Sequence, residues 1–506
     1  MYASTFFLLL SFVCFVAYFL FRIPTIRRNG VALRHPPNTL PLVGNGILFL
    51  QARHKMLSWF AKCEQQFGFE TFQISVPTLP PGVVINDPKN LEYVFKHEGI
   101  FTKGDFFKRR SWDLFGNGII NADGELWKVQ RKAGLHFLNN ANLRVLTDVA
   151  LPAYLEETVK GLSEVGHGSA VDLEEVLHEL TTQLIGRMAY GMSIHNSDPF
   201  SKAFDYASAA TGDRFQNPLW QICEIFVGGK FRESIAQIKA FGSMIVANAV
   251  QARKSKIVET NSTLDSISGS LINSLLDTID DHVMVTDAAL NYLSAGRDTT
   301  AQALTWTFYL LMQNPTKAEA VRREVIQVAE LTSSSKSGAT PQERLHNFDT
   351  TVFKPITLPY VTAVFYEAIR LYPPVPFELK QCEQATSLPD GTFLPKDSIV
   401  AWCPWAMNRS TLIWGEESEE FKPERWLEEG ALISKTASEF PVFNGGPRTC
   451  LGKNMAVSVA VQTIATLQAK FNFELTDGKE RISKNSLTLP MQGGLPCRVK
   501  IREDNI

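Results

Sequence analysis

"FNGGPRTCLG", residues 443–452, sets three glycines, a proline, an arginine and a lone cysteine within ten positions. Gly445 and Gly446 permit backbone conformations closed to other residues, and Pro447 stiffens the turn. Directly afterwards Val457, Val461, Ile464, Leu467 and Phe471 recur at helical spacing. Cys450 therefore sits where a loop becomes a helix. The free N–H groups and the positive dipole end of that helix stabilise an anion there, so the sulfur can persist as a thiolate. Two uses stay open for such a sulfur, as a catalytic nucleophile or as a metal ligand. A nucleophile needs a partner base, and no histidine lies nearby in sequence, although one can approach in space.

Outward from that loop, the chain is large and electrically balanced. Its 506 residues are enough for a sizeable core. Lysine plus arginine (50) nearly match aspartate plus glutamate (52), which argues against a nucleic-acid partner. The seven cysteines (14, 63, 223, 382, 403, 450 and 497) form no CxxC pair and no regular spacing, so neither a disulfide framework nor a zinc site is indicated. The nine histidines include no HExxH. "GNG" at 44–46 and 116–118 lacks the third glycine of a dinucleotide fingerprint and reads as turns.

Residues 1–21, "MYASTFFLLLSFVCFVAYFLF", carry no charge and are followed by Arg22, Arg27, Arg28 and Arg34. They are long enough for one bilayer crossing and lack the basic n-region and small-x-small cleavage site of a secretory signal peptide. They are expected to form a retained transmembrane signal anchor, and the arginines put the rest of the chain on the cytosolic side. Reduced thiols follow, and the sequons at Asn261 and Asn408 are expected to be chance matches. Residues 22–45 are basic and then proline-rich ("HPPNTLPLVGN", 35–45), which reads as a stiff linker, and 46–506 reads as one catalytic domain. Helical patterns dominate that domain, near 54–66, 126–137, between 142 and 258, and over 286–313. Short β-branched stretches lie near 70–86, 392–403 and 487–501, and the polar 331–342 reads as a surface loop. The fold class is mainly α with small β-sheets.

The spacing of Phe443, Gly446, Arg448, Cys450 and Gly452 resembles the haem-binding loop of the cytochrome P450 family. "EAIR" (Glu367, Arg370) resembles its E-x-x-R, "FKPERW" (Arg425) the segment completing a Glu-Arg-Arg cluster, "AGRDTT" (295–300) its oxygen-binding helix, and "WKVQR" (Trp127, Arg131) the helix that clasps the haem. The resemblance implies the cytochrome P450 fold, haem b, and iron held by the Cys450 thiolate, which favours O–O bond cleavage without a partner base. It implies that Trp127, Arg131 and Arg448 serve the haem and its propionates, with Lys380 standing where the family usually has arginine. Lysine offers a point charge without the bidentate fork. Glu367, Arg370 and Arg425 are implied to be structural, Thr299 to steady activated oxygen, and Asp298 to help deliver protons.

The implied activity is that of a monooxygenase, which inserts one atom of dioxygen into a hydrophobic substrate. Only 56 residues follow Cys450, too few for a flavin domain, so electrons are expected from NADPH through a separate cytochrome P450 reductase, with cytochrome b5 as an additional donor, at the endoplasmic reticulum membrane. Lys128 and Lys132, opposite the haem-facing pair on their helix, suit an acidic partner surface. "AGRDTTA", "GIINADGELWKVQRK" and "LTLPMQGGLPCRV" resemble the branch containing fungal and plant fatty-acid and alkane hydroxylases, which implies a long aliphatic substrate hydroxylated at or near its end. The alternative is tailoring of a fungal polyketide, terpenoid or lipopeptide. A haem-thiolate sensor or isomerase is the alternative class, and the intact Asp298–Thr299 pair counts against it. The distal walls are expected from Phe106, Phe107, Trp112, Leu114 and Phe115, from Leu219, Trp220, Ile222 and Phe226, and from Leu487, Leu489 and Met491. Lys108, Arg109 and Arg110 are either a carboxylate site at a channel mouth or a solvated basic run.

Overall fold

The computed structural model describes residues 11–12, 25–40, 43–76, 79–165, 169–254, 269–333 and 349–502. Helices dominate them. Those that position the site are α1 (Arg53–Phe67), α2 (Gly104–Phe115), α3 (Gly124–Phe137), α4 (Leu173–Ile185), α5 (Pro199–Gln216), α6 (Trp220–Val227), α7 (Gly229–Lys254), α8 (His282–Gln313), α9 (Pro359–Leu371) and α10 (Lys453–Lys470).

The longest of these, α8, decides the architecture. It begins four residues before the expected 286 because Asp281 caps it, accepting from the backbone N–H of Val283 and Met284. Nearly every side chain from Val285 to Leu311 is buried, as expected of a helix enclosed on all sides. Its first half, Val285 to Leu293, packs into one core with side chains of α3, α4, α5 and α7. The second half, Ala303 to Leu311, belongs to another core with α1, α9 and α10. Between these cores lies the stretch broken by glycine, aspartate and threonine, and it faces a cavity.

A five-stranded sheet walls that cavity, in the order Phe72–Ile74, Gly82–Val84, Ile399–Trp402, Glu378–Cys382, Phe101–Thr102. Gly82–Val84 runs parallel to Ile399–Trp402, and the other pairs are antiparallel. In register, Val400 faces Lys380 and Ala401 faces Leu379. Of the stretch 487–501 only Pro496–Ile501 is a strand. Upstream of it, the chain docks on α8: Gln302 donates to Thr488 Oγ1 (3.0 Å) and accepts from the Leu489 N–H (2.9 Å), and Trp306 Nε1 donates to the Leu489 carbonyl (2.8 Å).

The described part of the 22–45 segment is not a free spacer. Arg27–Arg28 pairs with both Val31–Ala32 and Thr392–Phe393, Ile26 is buried, and Leu40 bridges to Gly44. A short turn returns the prolines to the globule, because Asn45 bonds both Thr39 Oγ1 and the Ser75 N–H. The expected anchor, 1–21, lies outside the described residues except Ser11 and Phe12. Among the described residues no helix is long and apolar enough to cross a membrane. Of the expected loop at 331–342, residues 331–333 end the helix Pro315–Ser333 and the remainder lies outside the described residues. The Asn261 sequon does too. Asn408 is fully buried and donates to the Arg370 carbonyl, so the folded chain offers no glycan acceptor there.

Candidate active site

A cavity of about 460 Å³ opens between α8, the loop 444–452, α3, α2 and the five-stranded sheet. The loop's shape is set by two glycines. Gly446 has φ +61°, and a Cβ there would lie 2.2 Å from the Phe95 carbonyl oxygen; one on Gly445 would lie 2.2 Å from the Phe95 ring. The Cys450 N–H then donates to the Phe443 carbonyl at 2.7 Å, and Gly452 caps α10. Cys450 is thus held at a helix start with its side chain open to the cavity. Burial pushes its thiol up, against the lowering effect of the Gly452 and Lys453 N–H groups and of the Arg131 and Lys453 charges. The helix start alone therefore does not secure the thiolate expected from sequence, whereas a coordinated metal ion would.

Cations gather on the same side. Arg131 Nη1 donates to the Thr449 carbonyl at 3.0 Å, and its guanidinium lies 5.5 Å from the Trp127 ring centre. Arg448 stands 4.2 Å over the same ring and is already engaged by Glu98 (2.7 Å), Asp123 (2.8 Å) and the Ala122 carbonyl (2.8 Å). Lys380 lines the cavity, is 4% exposed, and has no hydrogen-bond or ion-pair partner among the described residues. Burial and the charges of Lys103 and Arg448 pull it down to about 7. An open thiol, an unpaired buried ammonium and the Arg131 guanidinium around one wide cavity fit a metal-bearing, anionic planar group such as haem.

On the opposite wall, Thr299 Oγ1 donates to the Ala295 carbonyl at 2.7 Å, the back-bond that bends a helix. Gly296 lets α4 come close, since a Cβ there would lie 3.0 Å from Ile185 Cδ1. Burial raises Asp298 to about 6 despite its contact with Arg297, whose Nη1 donates to it at 2.9 Å. Arg297 was given no role in the sequence, where it is one residue of "AGRDTT". It is 1% exposed and also reaches Asp205 on α5 (2.9 Å), Asn196 (2.7 Å) and Thr182 on α4 (3.2 Å). It ties three elements to the position of Asp298. Arg53, Lys103 and Phe377 also line the cavity without having been singled out.

Away from the cavity, Arg370 donates to both Glu367 oxygens at 2.8 Å, Arg425 Nε and Trp426 Nε1 donate to them at 2.9 Å, and both Glu367 and Arg370 are fully buried. Of the expected walls, Phe106, Phe107, Phe115 and Leu487 face the cavity. Trp112 is exposed, and Leu114, Leu489 and Met491 are packed in cores. Leu219, Ile222 and Phe226 stand exposed, because α6 lies on the outside of the molecule rather than over the cavity, and half-buried Trp220 at its start packs under Arg214 (4.5 Å) rather than against the cavity. The basic run is not an open carboxylate site. Lys108 pairs with Asp123 (2.8 Å), Arg109 lies 3.9 Å from Asp105, and buried Arg110 donates to the carbonyls of Phe106 (3.0 Å) and Arg214 (3.2 Å).

Comparison with known proteins places this geometry. The family model described as Cytochrome P450 matches residues 35–497. The chain is 32% identical over 452 residues to "Cytochrome P450 86B1" of Arabidopsis thaliana, covering 84% of this chain and 78% of that one. It is 30% identical over 449 residues to "Cytochrome P450 CYP94D109" of Paris polyphylla (83% and 86%). It is also 30% identical over 501 residues to "Cytochrome P450 monooxygenase cyp1" of Mycosarcoma maydis (92% and 75%).

Proposed function

The chain belongs to the cytochrome P450 family, and from that premise we propose that it hydroxylates long-chain fatty acids at or near the chain end. As a family member it is a monooxygenase that carries haem on a cysteine thiolate and acts with dioxygen, a redox partner and a hydrophobic substrate. The observation supporting an aliphatic substrate is the cavity wall beside Cys450, where Phe106, Phe107, Ile119, Val375, Leu379 and Leu487 present apolar surface. An alkyl chain gains roughly 25 cal/mol for each Å² removed from water against such a wall, with few polar contacts needed. The sequence resemblance to fatty-acid and alkane hydroxylases points the same way.

In this reading Cys450 would hold the haem iron through its thiolate, Phe443, Gly446 and Gly452 shape its loop, and Trp127, Arg131 and Lys380 would hold the anionic side of the group, where Arg448 braces Trp127. Bound haem supplies reduction of dioxygen and transfer of one oxygen atom to a C–H bond. Thr299 offers its hydroxyl to the cavity next to Asp298, and Asp298, kept near its Arg297 clamp, passes protons inward from the Asp205 side. Apolar walls exclude bulk water from the reacting carbon.

NADPH–cytochrome P450 reductase is the proposed electron source, with cytochrome b5 as a second donor. In support, Lys128 and Lys132 are exposed on α3 while Trp127 and Arg131 of the same helix line the cavity. Residues 1–21 are proposed to anchor the chain in the endoplasmic reticulum membrane with the catalytic domain on the cytosolic side. The test adds laurate through oleate to the purified holoenzyme with reductase. A shift to high-spin haem with terminal or near-terminal hydroxy acids is expected. No shift and no hydroxy acid with any of them overturns the fatty-acid reading in favour of a specialised metabolite.

A further inference from the structure

Besides Lys380, one more cation on the cavity wall is buried without a partner. Arg53, the first residue of α1, is 7% exposed, lines the cavity, and has no hydrogen-bond or ion-pair partner for its guanidinium among the described residues; Nε is fully enclosed with nothing to bond. Cys403 and Asp213 are the ionisable groups that act on its charge. Cys403 is no counter-ion, because burial pushes its thiol to about 12. Asp213 is exposed, is held by Asn485 Nδ2, and forms no ion pair with Arg53. Burial pulls Arg53 down to about 10, which still leaves a full positive charge at neutral pH. A buried, unpaired charge is costly unless a ligand supplies the partner.

Arg131 donates to the Thr449 carbonyl, Lys103 pairs with Glu378 at 3.4 Å, and Lys380, the other buried cation without a partner, is assigned above to the haem. Arg53 opens α1 where Gln216, at the end of α5, donates to the Phe49 and Gln51 carbonyls (3.3 Å each), whereas Lys380 lies on the five-stranded sheet and Arg131 on α3. The lining of the same cavity includes apolar Phe49, Ile74 and Phe377. We propose that Arg53 is the carboxylate anchor of the substrate site: its planar fork binds the acid group, and the alkyl chain runs along these apolar walls toward Cys450. This rests on the fatty-acid reading only for the identity of the acid.

The test measures binding to the resting holoenzyme by the haem difference spectrum, using imidazolyl alkanoic acids of increasing chain length and their methyl esters, which report through iron ligation without turnover. At the best chain length the acid is expected to bind about tenfold or more tightly than its ester. Arg53→Gln is expected to abolish that difference while retaining ester binding and the ferrous carbon monoxide spectrum, and Arg53→Lys to restore part of it. Equal binding of acid and ester by the wild-type enzyme at every length, or an undiminished acid preference in Arg53→Gln, overturns the assignment. Acid preference that depends on Arg53, without hydroxylation of laurate through oleate, keeps the anchor and defeats only the fatty-acid substrate.

Discussion

Cys450 owes its place to a glycine pair that no other residues can replace, and its sulfur is the one thiol presented to the cavity among the described residues. Cys450→Ser removes the thiolate and is expected to abolish the thiolate-type ferrous carbon monoxide spectrum together with all hydroxylation. Thr299→Ala is expected to keep haem and substrate binding while product per NADPH falls about tenfold or more and peroxide rises, measured by paired NADPH and product assays. Asp298, raised to about 6 by burial, holds a proton to give below that pH and loses it above, so coupled product formation is expected to decline as pH rises through about 6. A pH profile of Asp298→Asn lacking that limb checks the assignment. That Cys450, Asp298 and Thr299 deserved notice was legible in sequence because each lies in a short local pattern, and all three line the cavity. Arg53 and Arg297 were not legible, because Arg53 is distinguished by burial without a partner and Arg297 by contact with partners distant along the chain, such as Asp205.

At the scale of elements, α9 and the segment after it are locked by a charge cluster whose Glu367–Arg370 pair is fully buried. Glu367→Ala leaves Arg370 buried and unpaired, which costs ~3–5 kcal/mol and is expected to appear as a large loss of denaturant stability together with loss of haem. Helix existence was readable from periodicity: α1, α3, α8 and α10 lie close to their expected spans because their apolar spacing is long and regular. Orientation was not readable. α6 has the composition of a cavity wall, yet Phe226 is 81% exposed, since spacing cannot say whether an apolar face turns toward a cavity or away from it. The prolines of 35–45 likewise indicated stiffness but not the Asn45 bonds that fold the segment back.

Across the whole molecule, two cores meet at α8 and leave the reacting space between them, closed by the sheet and by the Cys450 loop. The family's motifs were legible because each is local in sequence, whereas the rest of the cavity lining is assembled from segments as separate in sequence as Phe49, Phe215 and Leu487. Deleting residues 1–21 is expected to move much of the protein to the soluble fraction with an intact haem spectrum, since the described fold is complete without them; loss of haem in that truncation would make the first segment part of the fold. The most direct test of the account is isotopic. The holoenzyme with reductase, NADPH, laurate and labelled dioxygen is expected to yield hydroxylaurate carrying one labelled oxygen at or near the chain end. Unlabelled product, or dioxygen consumed with no hydroxy acid formed from any fatty acid offered, would contradict it.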